Sequence, residues 1–294
     1  METELLNRLV KQHAETSRLM GVSFVPVYRA AGGPPAPGGP ADLSAPPPEG
    51  AGGPPPAPGA SAGASPTILE IKPIPPSPIP PGPRTPERCQ GLLDALRERY
   101  EREAPHRHFI TGHTRIVFGE GDPCARLMFV GEAPGAEEDR TGRPFVGRAG
   151  QLLEKMLGAM GLRREQVYIV NVLKTRPPDN ATPTGDEVRL CAPYLFEQVA
   201  IIAPEVIVAL GLPATRALLK TADSMSRLRG RWATFCAPPP LECRIPVMPT
   251  YHPAFLLRSY TAENRGKVWS DLRMVMDRLG LAPAKPPPGG GDAV

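Results

Sequence analysis

Cysteine is scarce and poorly spaced in this chain: Cys89, Cys124, Cys191, Cys236 and Cys243 form no C-x-x-C pair and no close, regular framework. That excludes a disulfide scaffold and reads as reduced thiols in a cytoplasm. No apolar run is long enough to span a bilayer, and Met1-Glu-Thr-Glu4 lacks the basic start and apolar core of a secretion signal. A soluble intracellular protein without membrane partners is expected. No repeat at a fixed period is visible, which removes solenoids and propellers. Excess charge is also small, at +4 over 294 residues. All of it lies between residues 86 and 282, which carry 27 Lys and Arg against 23 Asp and Glu. Such a surplus permits nucleic-acid binding without requiring it.

What the chain does have, in excess, is proline and glycine, 41 and 30 residues, unevenly spread. From 30 to 85 the sequence is nearly all Pro, Gly, Ala and Ser. It cannot bury enough apolar surface to offset chain entropy, so a disordered, partly polyproline linker is expected. The tail 283–294 has the same character. Residues 1–29 place Leu5, Leu6, Leu9, Val10 and Leu19 at helical spacing, predicting a short amphipathic helix that either docks on the domain or enters a partner's groove. One globular domain, 86–282, remains.

Within it, short apolar runs at 116–118, 127–130, 167–170, 206–210 and 245–248 read as strands. Helical patterns lie between or beside them, from about Pro86, and at 150–161, 184–203, 213–220 and 264–279. Thr184-Gly-Asp-Glu187 is a capping box that opens one of these helices. Strands alternating with helices predict an α/β fold, a three-layer α/β/α sandwich around a mostly parallel sheet.

Four polar clusters fall at or near strand ends: Gly131-Glu-Ala-Pro-Gly135 with Glu137, Glu138 and Asp139; Asn171 to Pro178 with Asn180; Gly211; and Thr250-Tyr-His-Pro253 continuing to Arg258. Parallel strands gather their carboxyl ends along one rim, where open α/β sheets bind ligands. A single active site is the expectation.

In this order the segments Gly131-Glu-Ala-Pro-Gly135, Pro144-Phe-Val-Gly-Arg-Ala-Gly150, Asn171-Val-Leu-Lys174, Arg176-Pro-Pro178 and His252-Pro253 resemble the uracil-DNA glycosylase superfamily, most closely its iron–sulfur branch, family four. The resemblance covers nearly the whole ordered domain, from about Gly112 to Leu279. It implies a DNA-repair enzyme that flips deoxyuracil out of DNA and hydrolyses its N-glycosidic bond. It also implies uracil-containing DNA as partner, action as a monomer and, in a bacterium, association with the nucleoid. Two alternatives stay open: a glycosylase for another deaminated base, or a non-catalytic module for damaged or single-stranded DNA.

The resemblance assigns roles by position. His252 donates to the anion developing on uracil O2. Glu132 orients water or offsets sugar charge, and Glu138 lies near the uracil C5 edge and helps exclude thymine. Phe145 stacks on the flipped base, while the peptide groups of Gly131 to Ala133 approach it closely. Asn171 can accept from uracil N3–H and donate to O4, a pattern cytosine reverses; the rival reading is an amide that ties adjacent loops. Asn180 is a further substrate candidate. Arg148, Lys174, Arg176 and Arg258 are candidates for phosphates. Leu256 and Leu257, within Phe255-Leu-Leu257, either wedge into the duplex or begin packing the last helix.

The family pattern breaks at its metal cluster. Four cysteines are expected there: a C-x-x-C, one in Lys-Cys-Arg-Pro-Pro, and one in the following helix. Here Thr175 replaces the third, the early stretch reads Pro105-His-Arg-His108, and only Cys191 remains. One thiolate cannot hold a cluster, so no cofactor and no metal are expected, with Cys191 packing as a small hydrophobe. His106 and His108 read as solvent-facing.

Overall fold

The computed structural model describes residues 72–109 and 111–282. The expected N-terminal helix, the linker before Lys72 and the tail lie outside the described residues. Helix α1 (Pro86–Glu103) starts where Thr85 accepts a hydrogen bond from the Arg88 amide and Pro86 presets the first turn. Then follow β1 (Glu120–Gly121), β2 (Leu127–Gly131), α2 (Ala136–Thr141), α3 (Arg148–Ala159) and β3 (Tyr168–Asn171). The second half holds α4 (Gly185–Ile202), β4 (Val206–Leu210), α5 (Leu212–Leu219), α6 (Met225–Leu228), β5 (Ala233–Cys236), β6 (Arg244–Thr250), α7 (Pro253–Arg258) and α8 (Ala262–Leu279).

The six strands form one sheet in the order β1-β3-β2-β4-β6-β5. The inner four are parallel, and the two edge strands run antiparallel to their neighbours. Alternation along each strand divides the core. Met128, Val130, Val170, Ile207 and Ala209 face α1, α4 and α5. Leu127, Phe129, Ile169, Val208 and Leu210 face α3, α7 and α8. The expected α/β/α sandwich is therefore the observed one, with both faces of the sheet covered.

Three expectations need correction. The apolar run Ile116-Val-Phe118 is no strand: only the Val117 amide bonds across, to Lys174 O at 2.8 Å, and pairing begins after Gly119, whose φ of 138° breaks the extended run. Strand β5 was not anticipated, because its exposed edge alternates too weakly to show in sequence. The end of the Pro-rich linker, 72–85, is held against the domain: Ser77 N donates to Glu197 Oε1 at 2.9 Å, Arg84 donates to Ile202 O, and Ile79 packs on the core. A few specific contacts thus order a segment whose composition alone favours disorder.

Among the described residues no helix is long and apolar enough to cross a membrane. The core is tightly specified, so truncating Leu157, fully buried between α3 and the sheet, is expected to cost about 2–5 kcal/mol. Urea unfolding of Leu157→Ala should show a lower midpoint with an unchanged slope.

Candidate active site at the carboxyl rim of the sheet

The ends of β2 and β3 lie side by side, with Gly131 opposite Asn171 in parallel register. A Cβ on Gly131 would stand 2.3 Å from Asn171 Oδ1 and 2.4 Å from Phe145 Cζ, so only glycine lets these two side chains meet over the strand end. Asn171 is 1% exposed and its Oδ1 has no hydrogen-bond partner. A buried amide oxygen without a partner is costly, and here it lies beside the aromatic ring, suited to accept from a ligand.

Phe145 is buried in the loop ahead of α3, and its ring centroid is 5.5 Å from that of His252. His252 caps α7, its Nδ1 accepting from the Ala254 amide at 3.0 Å. When the ring is neutral, its proton must then sit on Nε2. Burial, reinforced by the charge of Arg258, lowers the His252 pKa to about 4, so the neutral ring prevails at physiological pH. Gly211, at φ 86°, leaves room for this histidine: a Cβ there would lie 3.0 Å from His252 Cβ. The end of β6 is anchored from α8, where Asp271 accepts from Thr250 Oγ1 at 2.7 Å and from Arg229.

Glu132 follows Gly131 and keeps part of its surface open. Burial pushes its carboxyl up, opposed by a hydrogen bond from Thr182 and the charge of Arg258. Arg258 acts electrostatically on Glu132 and on His252, so α7 and the β2 end converge. Ala133 packs partly on the core beside them.

Glu138 is buried at the start of α2 and bound to the neighbouring loop. Its carboxylate accepts from the Val146 and Gly147 amides, each at 2.8 Å, and from the Gly135 amide at 3.1 Å. Those three backbone donors bind it to the loop that carries Phe145. Asp139, next to it, ties down 114–115: burial raises its pKa, but hydrogen bonds from the Arg115 and Thr114 amides and the Thr114 hydroxyl outweigh that and hold it below the usual carboxylate range.

Several expected contacts are corrected. Lys174 cannot reach phosphate: it is 0% exposed, and Nζ donates to Asn171 O at 2.7 Å and to Gln198 Oε1 at 2.6 Å. Burial lowers its pKa to about 7. Leu256 is buried in the core under α7, whereas Leu257 beside it is 40% exposed. Helical geometry sends adjacent residues in different directions, so only Leu257 of the pair is available as a wedge. Asn180 is exposed, with Oδ1 accepting from Arg176 Nε at 3.0 Å. Arg148 and Arg258 are exposed and Arg176 partly so.

The family's cluster was tested against the residues at the matching positions. Cys191 is fully buried, burial pushes its thiol up to about 12, and Thr175 stands at the position of another cluster cysteine. Beside it burial pushes the Tyr100 hydroxyl well up, and the buried Thr175 Oγ1 lacks a geometric hydrogen-bond partner. His106 stacks on Tyr100 with centroids 5.5 Å apart and is buried, correcting its expected exposure. The other cysteines do not converge here: Cys89 bonds to Ile201 O, and Cys236 and Cys243 lie on or beside the β5 edge. This donor set does not fit an iron–sulfur cluster. Among the described residues no group of three or more His, Cys, Asp or Glu is arranged to hold a metal ion.

The most informative residue missed from sequence is Arg164, whose guanidinium is buried against the Phe145 loop. A lone arginine in a polar turn gives no local signal of that.

Comparison with known proteins agrees with this geometry. Residues 118–273 match the family model described as the uracil DNA glycosylase superfamily. A type-4 uracil-DNA glycosylase of Thermotoga maritima is 46% identical over 160 residues, covering 54% of this chain and 80% of the relative. Those of Sulfurisphaera tokodaii and Pyrobaculum aerophilum are 42% and 44% identical, covering 58% of this chain in each case and 78% and 87% of the relatives. The matched segment contains the whole sheet and every rim residue described above, and the chain belongs to the uracil DNA glycosylase superfamily.

Proposed function

We propose that this chain removes uracil from DNA by hydrolysing the N-glycosidic bond of an extruded deoxyuridine, leaving an abasic site. The observation that carries the substrate reading is the buried, unpartnered Asn171 Oδ1 beside Phe145 and Gly131. Uracil N3–H satisfies that oxygen, and the Asn171 amide N–H groups meet O4. Cytosine offers an acceptor at N3 and a donor at C4, leaving both amide ends opposed. Phe145 supplies the face on which the base stacks.

Bond cleavage sends the electron pair to the base and leaves positive charge on the sugar. His252 meets the developing O2 anion with its Nε2–H, as a neutral donor that need not transfer its proton. Water attacks the sugar C1′, with the Glu132 carboxylate orienting it, accepting its proton and offsetting the sugar's charge. Leu257 enters the space left by the extruded nucleotide, and Arg148, Arg176 and Arg258 hold phosphates. None of these steps uses a metal: of the four cysteines that the resemblance to the iron–sulfur branch implies, only Cys191 is present, and Thr175 stands at the position of another.

Three measurements test this reading. Single-turnover release from a uracil-containing oligonucleotide should slow roughly 10²–10³-fold in His252→Ala, while Asn171→Asp should gain release of cytosine. Unchanged kinetics in both would discard the site, release from hypoxanthine DNA instead would favour another deaminated base, and a gel shift without any base release would favour a binding module. In the pH profile, His252 stays neutral until about pH 4, so the acid limb belongs to Glu132. Activity should fall as pH drops through the raised Glu132 pKa, and Glu132→Gln should lower the plateau and abolish that limb. Protein purified without oxygen should contain no stoichiometric iron or acid-labile sulfide; their presence would overturn the cluster-free assignment.

A further inference from the structure

Phe145 holds a backbone conformation that a side chain other than glycine's rarely adopts, with φ at 52°. Two buried, oppositely charged side chains grip the turn that keeps it there. Arg164 donates from Nη1 to Phe145 O at 3.0 Å and also to Pro144 O, so it takes the carbonyls. Glu138 takes the next two amides, Val146 and Gly147. Arg164 is itself oriented by Glu120 and by Glu154, the latter at 2.9 Å. Gly150 completes the fit, since a Cβ there would lie 2.0 Å from Phe145 O.

We infer that Arg164 is a positioning residue for base recognition: with Glu138 it fixes the left-handed turn that presents the Phe145 ring to the extruded base. The inference rests on the reading of Phe145 as the stacking face. A planar guanidinium serves here because its several N–H donors reach two adjacent carbonyls and two carboxylates at once, which a lysine ammonium at the end of a flexible stem cannot reproduce. Without that grip the loop relaxes toward an ordinary negative φ, and the ring leaves its place over Gly131. Arg164 touches neither base nor sugar, so its effect should appear in engagement of the base and not in binding of the DNA backbone.

The test compares Arg164→Lys and Arg164→Met with Phe145→Ala, using the full chain. Two quantities are read: the single-turnover rate of uracil release, and the affinity for the same duplex carrying an abasic site, which has no base to stack. Both Arg164 variants should release uracil roughly 10–100-fold more slowly, with abasic-site affinity within about twofold of wild type. Release at the wild-type rate, or a parallel loss of both quantities, would overturn the positioning role. If Arg164→Met fails to fold, Arg164→Lys alone decides by the same two readouts. If Phe145→Ala releases uracil normally, the stacking reading falls and the inference with it; if only Phe145→Ala is slow, the inference alone fails.

Discussion

The absence of a side chain at Gly131 is the constraint on which the pocket depends. In parallel register this glycine lies opposite Asn171, and the amide and the Phe145 ring occupy the space where its Cβ would be. Any larger residue would push the Asn171 amide and the Phe145 ring apart. Phe145 in turn abuts His252, so one missing methyl group lets three side chains from three separate segments meet.

Around that contact some buried polar groups are satisfied within the protein and others have no partner there. Lys174 shows the first case: its ammonium bridges Asn171 O and Gln198 Oε1, and Gln198 continues to Phe118 O at 2.9 Å. This buried chain steadies the strand end that carries Asn171. Asn171 Oδ1 shows the second case, a buried acceptor without a partner in the protein. His252 combines both, since the bond that uses Nδ1 as a helix cap determines that Nε2 carries the proton.

Aromatic packing near Cys191 ties α1 to α4. Tyr100 from α1 packs edge-on against Tyr194 of α4 at 4.9 Å and stacks on His106, with Cys191 and Thr175 beside them. Aromatic packing joins the early segment to the central helices through dispersion and burial. The buried Cys191 thiol packs among them as a small hydrophobe.

Much of this was legible in the chain. Apolar periodicity marked the four inner strands and the principal helices, and the motifs around Gly131, Phe145, Asn171 and His252 marked the rim, because burial and tight turns restrict residue type locally. Other features were not legible. Lys174 read as a surface group, Leu256 as either a wedge or a packing residue, Ile116 to Phe118 as a strand, and Arg164 as nothing in particular. Sequence by itself determined the four inner strands, their alternation with helices and the chemical kinds at the strand ends, since these follow from local pattern. Tertiary structure alone decided which charges are buried, which leucine faces solvent and which arginine grips the catalytic loop, because those outcomes depend on partners from distant segments that no local spacing encodes.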